Sequence, residues 1–86
     1  MIKQQEWREE NNTLSKTFEF TNFKEASIFA TELFKLFEEL NHHPDTLLHG
    51  YKFVTITTTT HDAGNTLTEL DYTLTQRVDE VFEKSN

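Results

Sequence analysis

Cysteine is absent from the chain, so neither a disulfide framework nor a thiolate metal site can form. That absence suits a reducing compartment, and the cytoplasm is the expected location. Proline occurs once and glycine twice, while phenylalanine occurs eight times, a balance that favours a packed globule over a disordered chain. Long apolar runs are missing as well. None approaches the ~20 residues of a membrane span, and Met1 to Glu6 has no apolar stretch of the kind found in a secretory leader. Positive charge is scarce: eight Lys and Arg against fifteen Asp and Glu leave a formal net charge of −7. The basic residues are scattered, whereas phosphate contacts need them clustered, so direct nucleic-acid binding is not expected.

What remains is a chain of 86 residues with no linker, repeat or composition break, read as one domain over 1–86. At that size a single core is marginal and self-association is a reasonable expectation.

The patterning divides the chain into six elements. Glu6 to Glu10, with Trp7 among charges, reads as a short strand or an edge, and Asn11-Asn12 as a turn. Leu14 to Phe20 alternates as a strand with one buried face, broken only by Lys16. Asn22 with Glu25 three residues on is a capping box for a helix running to about Leu40. On it Phe23, Ala26, Phe29, Ala30, Leu33, Phe34, Leu36, Phe37 and Leu40 share an arc of roughly 160°, while Ile28 sits opposite. So wide a stripe exceeds what one sheet buries and points to a subunit contact. Pro44 forces a turn over Asn41 to Asp45.

A short strand follows at Thr46 to His49. Then Tyr51 to Thr60 alternates with Val54, Ile56, Thr58 and Thr60 on one face, its run of threonines being β-branched strand filler. After the loop Asp62 to Asn65, Thr68 and Asp71 cap a second helix to about Lys84. Leu70, Leu74, Val78, Val81 and Phe82 share one arc there, about 120° wide, and Asp71 projects inside it. A carboxylate on that face needs a partner, either the cap amides or a site group. The order β-β-α-β-β-α with hairpin-like connections gives an α+β fold: a four-stranded antiparallel sheet with two helices on one face.

Histidine carries the chemistry. His42 and His43 follow the first helix and precede Pro44, where the negative helix end favours a protonated imidazole. Glu38, one helical turn before His42, is placed to orient that ring. His61 ends the long strand at the start of a loop, a common position for site residues. His49 has no supporting pattern and reads as surface, Tyr51 as core or sheet face, and Trp7 by itself is open between packing and a site role. Three histidines also raise the prospect of zinc, but neighbours such as His42 and His43 rarely converge on one ion, so no metal is expected.

Glu38, His42-His43-Pro44, Tyr51, His61 and Asp71 together have the spacing of the pterin-4a-carbinolamine dehydratases, and the chain resembles that family from about Trp7 to Phe82. The flanks agree at Thr17-Phe18-Glu19-Phe20, at Thr60-His61-Asp62-Ala63-Gly64 and at Leu67-Thr68. Two departures stand out. Asn65-Thr66 replaces a single Gly common in the family, and Leu70 stands where some members carry a basic residue near the pterin.

The resemblance implies dehydration of a 4a-hydroxytetrahydropterin to the quinonoid dihydropterin, in tetrahydrobiopterin recycling. Histidine suits both proton transfers near neutral pH, with no cofactor needed. It implies His42 and His61 as the proton-transfer pair, His43 as the residue that positions the pterin, and Glu38, Trp7 and Asp71 as supporting or binding residues. Which imidazole is acid and which base stays open. The resemblance further implies a homodimer or homotetramer, and leaves open coupling to an aromatic amino-acid hydroxylase. It also carries an alternative, since some members act as non-catalytic partner proteins, including a dimerisation cofactor of a homeodomain transcription factor.

Overall fold

Asn11 and Asn12 both adopt the left-handed backbone, with φ of 53° and 62°. Two successive positive φ values in a two-residue loop give the tight turn whose twist matches that of paired strands, and Asn tolerates it better than most residues. This turn joins β1 (Arg8–Glu10) to β2 (Thr13–Glu19), which pair antiparallel with Glu10 opposite Thr13. The computed structural model describes residues 6–64 and 66–85. The order continues through α1 (Phe23–Leu40), β3 (Thr46–His49), β4 (Phe53–Thr58), a 3₁₀ turn at His61–Ala63 and α2 (Glu69–Ser85).

The strands form one antiparallel sheet in the order β1-β2-β4-β3. This is the expected α+β arrangement of four strands and two helices. The helices cover the face on which Leu14, Phe18, Val54 and Ile56 are buried, and these pack with Ala26, Phe29, Leu33 and Phe37 of α1 and Leu74, Val78 and Phe82 of α2. The other face is a ladder of hydroxyls: Ser15 bonds Thr57 at 3.1 Å and Thr17 bonds Thr55 at 2.8 Å across the β2–β4 register. Within β4 the threonines divide as the alternation requires, Thr55 and Thr57 on the hydroxyl face and Thr58 inward, while Thr59 and Thr60, past the end of the strand, are also buried.

The first helix begins where the capping box places it. Asn22 is extended, its side chain accepts the Glu25 N–H at 2.9 Å, and the Glu25 carboxylate accepts the Thr21 N–H at 3.3 Å. It stops at Leu40 because Asn41 turns left-handed (φ 54°, ψ 37°), its N–H bonding back to the Glu38 carbonyl while the His42 N–H reaches that of Phe37. The broad apolar arc is only partly buried within the chain. Phe23 and Phe34 remain 54% and 53% exposed, as does Ile28 at 51%. Tyr51, expected in the core or on the sheet, is instead exposed in the turn between β3 and β4.

Lys16, the one break in the β2 alternation, points inward all the same. Its ammonium is buried 2.8 Å from an Asp79 oxygen on α2, and it lies over the rings of Trp7 and Phe18. The Trp7 indole N–H donates to the same Asp79 carboxylate at 3.1 Å, and its ring meets Phe18 edge-on. One carboxylate thereby lets a lysine and a tryptophan complete the sheet-facing end of the core. Asp79→Ala leaves the buried ammonium unpaired and is expected to cost about 3 kcal/mol in urea denaturation, with Lys16→Met in the same chain restoring most of that. A cost near zero for Asp79→Ala would contradict this account.

Candidate active site

The left-handed turn at Asn41 decides where the two neighbouring histidines go. Had the helix continued, Glu38 and His42 would lie one turn apart on one face; the reversal turns His42 inward and leaves His43 above the last helical turn. Glu38 accordingly lies 3.6 Å from His43 Nε2, and the expectation that it orients His42 is corrected. The partner of His42 is Asp71, from the first turn of α2, at 3.0 Å. His42 is buried and Asp71 is fully enclosed.

Asp71 is also the convergence point of three other donors. Thr58 Oγ1 donates to it at 2.7 Å, Thr60 Oγ1 at 2.6 Å and the Thr68 backbone N–H at 3.0 Å. Both partners left open for this residue, cap amide and site group, are therefore present. Burial pushes the carboxyl of Asp71 up, but the hydrogen bonds from Thr60, His42, Thr58 and the Thr68 amide together hold it below its ordinary value of 3.8. A carboxylate only accepts, so His42 must place an N–H on Nε2, which fixes its other nitrogen as the proton acceptor of the neutral ring.

His61 is the third imidazole. It opens the 3₁₀ turn beyond β4, and its Nε2 lies 2.9 Å from Asp45, the residue after Pro44. Asp45 carried no periodic or motif signal and was missed in the sequence. Thr58 and Thr60 were seen there only as strand filler, although hydroxyls on a core-facing register demand partners. Asn41, His42, His43, Thr59, Thr60, His61 and Leu70 line one open cleft of about 270 Å³. Trp7 is not among them: it is held by Phe18 and Asp79 on the core side, which corrects its assignment to the pocket. His49 stacks its ring on Phe23 at 4.9 Å, away from the cleft lining. Of the two departures noted, Leu70 sits at the cleft, while Asn65 lies outside the described residues. Among the described residues no group of three or more His, Cys, Asp or Glu is placed to hold a metal ion.

Residues 1–81 match the family model described as pterin 4 alpha carbinolamine dehydratase. The chain belongs to this family. A provisionally named pterin-4-alpha-carbinolamine dehydratase of Sulfurisphaera tokodaii is 39% identical over 93% of the chain and 84% of its own length. One from Chloroflexus aurantiacus is 40% identical over 95% of the chain and 86% of its own length. Among solved structures, a transcriptional coactivator/pterin dehydratase from Brucella melitensis superposes with a TM-score of 0.81 at 26% identity, covering 91% of this chain and 83% of that one. A pterin dehydratase-like protein identified as a RuBisCO assembly factor of the alpha-carboxysome gives 0.77 at 28% identity, covering 90% and 89%.

The pH dependence of stability follows from Asp71. Its folded pKa lies below 3.8, so the unfolded chain binds the proton more readily, and the stabilisation is present above that value and lost as pH falls through the folded pKa. Asp71→Asn is expected to flatten the acid limb of the stability curve, and Thr60→Val to cost about 2 kcal/mol at neutral pH. Denaturant midpoints measured from neutral to strongly acidic pH check both. An unchanged acid limb in Asp71→Asn would assign the limb to other carboxylates.

Proposed function

We propose that this member of the family is a catalytic one, a hydro-lyase that dehydrates a 4a-hydroxytetrahydropterin in pterin recycling. The observation that carries the reading is the gathering of His42, His43 and His61 around one cleft, each with a carboxylate within 3.6 Å. In this reaction the leaving hydroxyl on C4a takes a proton, the C4a–O bond breaks, and N5 gives up its proton as the C4a=N5 bond forms. Protons and electrons balance with water as the only other product. His42 and His61 serve as the proton-transfer pair and His43 positions the pterin. Asp71 holds the His42 ring and Asp45 the His61 ring. The chain is a single domain, 1–86, and works in the cytoplasm.

The RuBisCO assembly factor favours a second reading, a partner protein of the same fold with no turnover. A scaffold has no chemical need for three imidazoles at one cleft, which supports catalysis. A stopped-flow assay with enzymatically generated 4a-carbinolamine separates the two. His42→Ala and His61→Ala are each expected to lower kcat by about 10²-fold or more while circular dichroism stays native, the slow unaided reaction limiting the drop that can be seen. Wild-type rates in both single variants and in the double variant would remove these histidines from the mechanism.

The same reading includes self-association. Phe23, Ile28 and Phe34 place apolar surface outside the core of a chain of 10.2 kDa, and a two-fold contact would cover it. Light scattering at micromolar concentration is expected to give a dimer or tetramer mass, with Phe34→Glu shifting it toward the monomer. A monomer mass across a wide dilution series would remove the assembly from the proposal.

A further inference from the structure

We infer that the cleft selects pterins whose side chain carries no charge over those bearing a phosphate or carboxylate. The inference rests on the pterin reading above and concerns the part of the substrate beyond the ring. Three couples set the electrostatics of the cleft: His42 with Asp71 at 3.0 Å, His61 with Asp45 at 2.9 Å and His43 with Glu38 at 3.6 Å. Protonating any of these imidazoles produces a neutral pair rather than a spare cation. Burial makes the innermost couple the least available of the three, because Asp71 is fully enclosed and His42 nearly so.

Among the described residues no other cation lines the cleft. No Lys or Arg is among its lining residues. Arg77, on α2, gives its guanidinium to Glu39 at 3.3 Å and to Glu80 at 3.4 Å. The residue at the rim is Leu70, 51% exposed, which offers apolar contact and no counter-charge. An anionic tail would therefore lie beside Glu38 and Asp45, whose imidazole partners leave no net positive charge to receive it, in a chain already at −7. A hydroxylated, uncharged tail meets Leu70 together with the Asn41 amide and the oxygen of the Thr59 hydroxyl, also at the lining.

The experiment measures binding rather than turnover, by fluorescence titration of the wild-type protein with two stable oxidised pterins. One carries a dihydroxypropyl tail at C6 and the other the same tail as its phosphate monoester. The uncharged pterin is expected to bind about fivefold more tightly at low salt, the ratio closing toward one at high salt as screening removes the repulsion. Leu70→Lys is expected to narrow or invert the ratio at low salt, and Leu70→Gln, polar but uncharged, to leave it in place. Equal affinities at low salt, or tighter binding of the phosphate ester, would overturn the inference. Selective binding of the uncharged pterin without turnover of the carbinolamine would overturn the catalytic reading and sustain this one. Failure to bind either pterin would overturn both.

Discussion

A single enclosed carboxylate joins the parts of the molecule that must meet at the cleft. Asp71 receives Thr58 and Thr60 from the end of β4, the Thr68 amide from the start of α2, and His42 from beyond the end of α1. An ionised group with no exposure persists in a folded chain only when its lone pairs are filled, and here four donors fill them. The sheet, both helices and the first histidine are thereby fixed relative to one another by the same charge. Substituting one donor costs more than the net contribution of one bond, because the carboxylate is then left partly unsatisfied.

The three imidazoles share this partnered state but not its surroundings. His42 is nearly enclosed, held on one nitrogen and oriented by the packed interior, whereas His43 and His61 are both about 60% exposed at their side chains. Exposed histidine–carboxylate pairs are screened by water and exchange protons with it readily. The cleft thus combines one imidazole of fixed direction with two that remain in contact with solvent. For the proposed dehydration, which moves two protons and releases water, such a division is chemically apt.

Most of the fold was legible in the sequence, for local reasons. Asn22 and Glu25 announced the start of α1, alternation announced β2 and β4 with their correct inward faces, and Asp71 on an apolar arc announced a buried partner. The failures share a different cause. Glu38 was matched to His42 by a helical spacing that ends two residues too early, at the left-handed Asn41. Asp45 and the inward Thr58 and Thr60 belong to pairings across 16, 13 and 11 residues, which no local periodicity encodes. Lys16 looked like an error in a strand pattern because its partner Asp79 lies 63 residues away. Trp7 was drawn toward the pocket when the same Asp79 holds it, half-buried, against the core.

The strand order also leaves the sheet with two unlike borders. One is β1, three residues long and made only of Arg8, Glu9 and Glu10, so another strand approaching it meets charge at every position. The opposite border, β3, is Thr46-Leu47-Leu48-His49, without a Lys, Arg, Asp or Glu. Strand addition is thus discouraged on one side and unopposed on the other. Were two such sheets to pair through β3, each would have used its one unopposed border, and backbone-mediated association would end at two copies.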